Sequence, residues 1–336
     1  MVKFLVVRFS SIGDIILTTP VLRHLKHQVD QVEIHYLTKS EFVPLLEANP
    51  YIDRIHSFSG DLKSCIRTLK KEDIDYIIDL HNNTRSARIK YGLKRMDLSV
   101  NKLNWRKWVF VNFKLNRLPD THMVDRNMDT IGSFISEKDE GGLDYFIPDR
   151  DEVNPSTLPE IFQEGYIGLA IGAQHMTKKL PLNSLIELCN KVKFPLIILG
   201  GPSDKDTSEA IIKALPEKSL LNGCGNYRIN QSASLVRQAR VLITHDTGLM
   251  HMGAAFNRKI ISIWGNTVPQ FGMSPYKADP SSVQFEVPGL DCRPCSKIGH
   301  QTCPKKHFKC MLDQDLEGIG RAANQLFLTT ARQKYT

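Results

Sequence analysis

Asp14 closes the polar run Ser10, Ser11, Ile12, Gly13, Asp14, which follows the apolar segment Lys3–Phe9. A carboxylate in a short loop at a strand end can take the proton from an attacking hydroxyl, which is general-base chemistry. The same residues also have a local use. Ser11 and Asp14 fit the S-x-x-D capping box, in which the serine binds a helical amide and the carboxylate answers back. The pattern by itself leaves both uses open.

A second group of residues points to an anion. After Tyr166–Ile171 the chain reads Gly172, Ala173, Gln174, His175, Met176, Thr177, Lys178, Lys179. Small residues let backbone amides approach a phosphate, and a lysine adds a mobile charge. Asp246, at the end of Val241–Thr244, reads as the N-cap of a helix over Thr247–Phe256, with Thr247 and Gly248 presenting amides at its positive end. His251 lies one turn further on and either donates to a phosphate oxygen or fills the core. Gly201 and Asp204 follow Leu196–Leu199, in a turn where the carboxylate could accept from a ribose hydroxyl. Neither G-x-x-x-x-G-K-[ST] nor G-x-G-x-x-G occurs, which argues against a P-loop NTPase or a dinucleotide dehydrogenase.

These loops need strands to hold them. Lys3–Phe9, Val32–Leu37 and Tyr76–Leu80 alternate with helical stretches, and Tyr166–Ile171, Leu196–Leu199, Val241–Thr244 and Ile260–Trp264 repeat the rhythm. Strand, helix, strand in repetition means a parallel sheet. Length makes two such lobes, with a proline-bearing hinge over Ile147–Glu160. Two doubly wound lobes facing a cleft would bring their strand-end loops together.

The 41% hydrophobic and 24% charged residues are ordinary for a folded protein. No apolar run reaches the roughly 18 to 20 residues that cross a bilayer, and the amino terminus lacks a secretory signal, so a cytoplasmic protein is expected. The net charge of +8 favours an anionic partner. Asn101–Arg117 carries five basic residues and no acidic ones, with Trp105, Trp108, Val109 and Phe113 near helical spacing. It reads either as a membrane-surface helix or as a helix packed on its own lobe. Cys292, Cys295, Cys303 and Cys310, with His300 and His307 among them, read either as structural zinc ligands or as packed thiols. A zinc-containing nucleic-acid-binding module leaves the strand-end loops unexplained, so no nucleic acid is expected as a partner.

The pattern S-S-I-G-D followed by T-x-P at Ser10–Pro20, together with D-T-G-L-x-H from Asp246 to His251, resembles the ADP-heptose:lipopolysaccharide heptosyltransferases of glycosyltransferase family 9. Lys178 before Leu180-Pro181, and Gly201-Pro202-x-Asp204, agree with it. The chain departs at Leu180, where tryptophan is usual, and at Gly253, where alanine is usual. The resemblance implies an α/β GT-B fold of two Rossmann-like domains. Residues 1–150 would bind the acceptor, 151–315 the nucleotide-sugar donor, and 316–336 would form a helix returning toward the first domain. It implies an inverting transferase moving a heptose or similar sugar from an ADP-sugar to a lipopolysaccharide core or related glycolipid, with no cofactor required for the chemistry. Asp14 would be the base, and Lys178, Thr247, Gly248 and His251 would neutralise the diphosphate. Gly172, Ala173, Gln174, Gly201, Asp204 and Asp246 would complete the donor site. Ser11, Gly13, Asn82, Asn83 and Arg85 would meet the acceptor, where the match is loosest. Peripheral contact with the cytoplasmic face of the inner membrane is a further expectation. The nearest alternative is a GT-B transferase or epimerase using a UDP-sugar.

Overall fold

A parallel strand covered on both faces needs a continuous apolar run, and Phe4, Leu5, Val6 and Val7 are all fully buried. They belong to β1 (Val2–Val7), the central strand of the first of two units. The computed structural model describes residues 1–329; residues 330–336 of the expected C-terminal helical segment lie outside the described residues. The first unit comprises residues 1–103 and 121–148, and the second comprises 104–120 and the chain from Asp149 onward.

In the first unit β2 (Val32–Lys39), β3 (Arg54–Phe58), β4 (Tyr76–Asp79) and β5 (Met96–Ser99) join β1 in the order β3-β2-β1-β4-β5, all parallel. The second unit contains β6 (Ile167–Ala170), β7 (Leu196–Leu199), β8 (Leu220–Asn222), β9 (Val241–His245), β10 (Lys259–Trp264) and β11 (Val283–Glu286). Their order is β11-β10-β9-β6-β7-β8, again parallel throughout. The direction of winding reverses between β1 and β4 in the first sheet and between β6 and β9 in the second. Ligands of open α/β sheets sit beyond the carboxyl ends of the strands at such a reversal. The loops after these four strands carry most of the residues singled out from the sequence.

Side chains alternate across each sheet. In β9, Val241 and Ile243 pack with Ile261 and Ile263 on one face, while Leu242 packs with Ile197 and Tyr166 on the other. Each such burial contributes about 1.5–3 kcal/mol. Leu5, Val7, Ile77, Ile89 and Leu93 form the equivalent cluster of the first unit.

Two local expectations change. The single helical stretch expected between Lys3–Phe9 and Val32–Leu37 is two helices, Ile12–Ile16 and Thr19–Gln28. Pro20 has no N–H to give, its ring excludes the carbonyl four residues back, and the hydroxyls of Thr18 and Thr19 take the Ile15 and Ile16 carbonyls instead. The helix Asn104–Phe113 groups with the second unit rather than the first lobe. Phe110 meets Phe271 edge-on at 5.9 Å, and Lys114 Nζ donates to the Cys292 and Pro294 carbonyls at 3.1 and 2.7 Å. The helix Leu316–Leu328 packs Ile319, Ala323 and Phe327 into the core of the second unit.

Candidate active site

Arg8 follows the last residue of β1 and is 5% exposed. A buried guanidinium needs partners for its donors. It finds them in the Ser10 carbonyl at 2.8 Å, the Leu80 carbonyl beyond β4 at 2.5 Å, and Asp14 Oδ1 at 2.6 Å. One side chain thereby ties together the two loops at the reversal of the first sheet. Asp14 Oδ2 accepts from the Ser11 N–H at 3.1 Å and the Ser11 hydroxyl at 2.8 Å, so the carboxylate half of the capping box is present. Burial would raise the Asp14 carboxyl, but the Arg8 charge and the Ser11 donors outweigh it and hold the group well below the usual carboxylate range. An ionised carboxylate has about four acceptor sites. Three are taken, and the remaining capacity is on Oδ1. Capping and proton acceptance therefore do not exclude each other here.

The loop after β4 is built by its own side chains. Asp79 Oδ1 accepts from the His81 and Asn82 N–H groups at 3.1 and 2.7 Å. Asn82 donates its amide to the Val100 carbonyl at 2.9 Å, and Asn83 caps the helix Thr84–Leu93 by accepting from the Arg85 and Ser86 N–H groups at 2.9 and 3.0 Å. Arg85 lies over the rings of Phe9 and Phe58, at 5.3 and 5.2 Å. Burial, helped by the Arg8 charge, pushes His81 down to about 3, which leaves its ring neutral. The described contacts of Asn82 and Asn83 thus hold the loop to itself and to Val100 beyond β5, and Arg85 is its half-buried cation. Ser11 is exposed, whereas Gly13 is buried within Ile12–Ile16.

In the second unit the turn Met176–Lys178 follows β6 and carries Lys178 Nζ to 2.5 Å from Asp246 Oδ2 at the end of β9. The Thr267 hydroxyl donates to the same oxygen at 2.9 Å. Because Asp246 is committed to these two donors, the N-cap of the helix Gly248–Ala255 is Thr247, not Asp246, and no side chain caps that end. The first amides of an uncapped eight-residue helix beside a lysine suit an anion. His251 is 2% exposed, one turn inside. Gly253, where the family pattern has alanine, is matched to its surroundings: a Cβ there would stand 2.6 Å from Leu242 Cδ2.

Asp204 is also turned inward. Its Oδ1 pairs with Lys179 Nζ at 2.5 Å and its Oδ2 accepts from the Gly201 N–H at 2.9 Å. A Cβ on Gly172 would lie 2.6 Å from that Oδ2, so glycine is required there for the close approach. Ala173 and Gln174 complete the loop, with the Gln174 carbonyl accepting from Gln301 at 3.3 Å. His245 was not singled out from the sequence. It is fully enclosed, its Nε2 accepts from the Leu180 N–H at 3.1 Å, and burial, then the Lys179 charge, pushes it down to about 4. The signal, as for Arg8, was a titratable residue in an otherwise apolar strand end.

The cysteine segment braces this site. Arg293 donates to the Gly265 and Thr267 carbonyls at 2.6 and 3.1 Å, and the Cys295 N–H to the Asn266 carbonyl at 3.1 Å. Thr177 and His300 exchange hydrogen bonds of 2.8 to 3.1 Å. The zinc expectation is not met: among the described residues no three His, Cys, Asp or Glu side chains are arranged to hold a metal. The Cys292 sulfur faces His307 Nε2 at 3.7 Å, the Cys295 thiol turns to the Cys292 carbonyl at 3.1 Å, and Cys310 is buried in an apolar cluster.

Residues 62–307 match the family described as glycosyltransferase family 9 (heptosyltransferase). Lipooligosaccharide heptosyltransferase 2 of Haemophilus influenzae is 24% identical over 307 residues, 80% of this chain and 85% of that protein. The solved Escherichia coli ADP-heptose lps heptosyltransferase II is 19% identical with a TM-score of 0.75, covering 97% of this chain and 98% of the other. Escherichia coli heptosyltransferase WaaC with ADP-2-deoxy-2-fluoro heptose is 18% identical with a TM-score of 0.63, over 80% of this chain and 90% of that one. The two parallel sheets described above are those of the GT-B fold.

Proposed function

Because the chain belongs to glycosyltransferase family 9 and is a glycosyltransferase, we propose that it transfers a heptose or similar sugar from an ADP-sugar to a lipopolysaccharide core or related glycolipid, with inversion. The observation that carries the donor half is the meeting of Lys178, Asp246 and the uncapped helix start at Thr247 and Gly248. When the acceptor oxygen bonds the anomeric carbon, the bond from that carbon to the diphosphate breaks and the nucleotide leaves as an anion. Lys178 and the helix amides are preorganised to take up that charge. No step then requires a bound cation or other cofactor.

Asp14 receives the acceptor's proton. Its carboxylate is ionised and oriented by Arg8 and Ser11, with acceptor capacity left on Oδ1. A base held this far below the usual range takes the proton late, once bond formation has made the hydroxyl acidic. Arg85 is the cation offered to an anionic acceptor. Asp204 holds Lys179 in place beside the donor loop. The similarity to heptosyltransferases, one of them solved with ADP-2-deoxy-2-fluoro heptose, supports this reading.

Thermal shift with ADP, UDP and GDP at equal concentration tests it. A nucleotide at about 100 times its dissociation constant stabilises by roughly 2.7 kcal/mol, and ADP should give the largest rise in Tm. A larger rise with UDP would favour a UDP-sugar transferase or epimerase instead.

A further inference from the structure

The helix Asn104–Phe113 has no buried residue, although six of its ten residues are apolar or aromatic. Trp105 is 71% exposed, Trp108 41% and Phe113 60%. The three rings form one patch: Trp105 and Trp108 stack at 5.0 Å, and Phe113 meets Trp108 edge-on at 5.5 Å. Soluble surfaces rarely gather large apolar side chains this way without a partner. The helix is not loose, because Phe110 and Lys114 fasten it to Phe271 and to the Cys292 and Pro294 carbonyls. Its aromatic patch is therefore presented from a fixed support.

We propose that this patch docks the enzyme on an anionic lipid surface, a property independent of the donor and acceptor chemistry assigned above. Charge selects the partner. Arg106 and Arg117 are exposed around the rings, and no acidic residue occurs from Asn101 to Arg117. Tryptophan rings prefer the depth of lipid headgroups, and basic residues nearby are drawn to anionic ones. No helix among the described residues is long and apolar enough to cross a membrane, so the contact is one of lying on the surface. A patch of rings that stacked on a sugar would respond to soluble oligosaccharide in the absence of vesicles, an outcome the test separates.

The test is co-sedimentation of the full chain with vesicles of phosphatidylcholine containing phosphatidylglycerol, against vesicles of phosphatidylcholine alone, while tryptophan emission is followed. The chain has three tryptophans and Trp264 is fully buried, so a change in emission reports Trp105 and Trp108. Binding to the anionic vesicles, a blue shift, and weakening by salt are expected. Arg106→Gln and Arg117→Gln should each weaken binding about fivefold, following the usual contribution of a basic residue at an anionic membrane. The double variant Trp105→Ala/Trp108→Ala should lose most of the binding while keeping a cooperative thermal transition in the absence of nucleotide, which shows it folded. Equal binding by that variant, no binding to anionic vesicles, or an emission change with soluble oligosaccharide but none with vesicles would each overturn the proposal. None of these results depends on which nucleotide or acceptor the enzyme uses.

Discussion

Arg8 Nη2 lies 2.6 Å from Asp14 Oδ1, and the same guanidinium holds the Leu80 carbonyl at 2.5 Å. The candidate base is thus fixed to both loops at the reversal of the first sheet. Removing one partner of a buried pair typically costs about 3–5 kcal/mol, so Arg8→Gln should lower Tm markedly. Its more specific effect is on pH. The folded-state Asp14 carboxyl is depressed, so wild-type kcat/KM should show no acid limb from Asp14 in the mildly acidic range. Without Arg8 the carboxyl should rise toward the ordinary value of about 4, bringing such a limb into view. Arg8→Lys, which retains charge near Asp14, should keep the limb at lower pH than Arg8→Gln. Identical pH–rate profiles for the wild type and Arg8→Gln would show that the pair does not set the state of Asp14.

Lys178 is predicted to be a nucleotide ligand. Hydrogen bonds to charged groups contribute about 1.5–3 kcal/mol, so Lys178→Ala should raise the dissociation constant of ADP by about 10- to 100-fold. The variant also leaves the Asp246 carboxylate without its ion-pair partner at the helix start. Adding Asp246→Asn should therefore recover part of the loss. Unchanged ADP affinity in Lys178→Ala, measured by calorimetry, would place the lysine outside the donor site.

The central strands were legible because they are apolar runs, and the edge strands were not. β5 reads Met-Asp-Leu-Ser and β11 reads Val-Gln-Phe-Glu, each exposed at alternate positions or more, so neither shows the run of a covered strand. The loops at the two reversals were legible for a related reason: each follows a strong strand and breaks abruptly into polar or small residues. Arg8 and His245 are visible in the sequence only as titratable residues at apolar strand ends, and their roles are not legible there. Their importance comes from partners 72 and 65 residues away, at Leu80 and Leu180. Asp246 was read as a helix cap because sequence places it one residue before Thr247; only the tertiary contacts with Lys178 and Thr267 take its carboxylate away. The cysteine spacing suggested metal, but Cys310 is carried into the core by a short helix with Met311.

His245 makes stability acid-sensitive. Its folded-state value is about 4 against the ordinary 6.5, so between those values the unfolded chain binds more protons than the folded one. Stability is then fully present above about pH 6.5 and is lost as pH falls toward 4, by about 3 kcal/mol for this residue. His56, at about 4, and His81, at about 3, act in the same direction. His245→Gln retains an acceptor for the Leu180 N–H and cannot be protonated. Its Tm should therefore fall less steeply over this window than that of the wild type. Parallel curves would show that His245 is not the buried neutral ring described.

Asp14→Asn is the measurement on which the account turns. Asparagine can still accept from Ser11 and Arg8, but it leaves the buried Arg8 charge unneutralised. Some loss of Tm is expected, and the ADP-induced shift serves to show that the variant is folded. Turnover with an ADP-heptose donor and a lipopolysaccharide-core acceptor should fall by roughly 100- to 10,000-fold, the usual contribution of a general base, while ADP affinity stays near that of the wild type. A folded Asp14→Asn variant that binds ADP and turns over at a near-normal rate would contradict the account and leave Asp14 as the structural partner of Arg8 and Ser11.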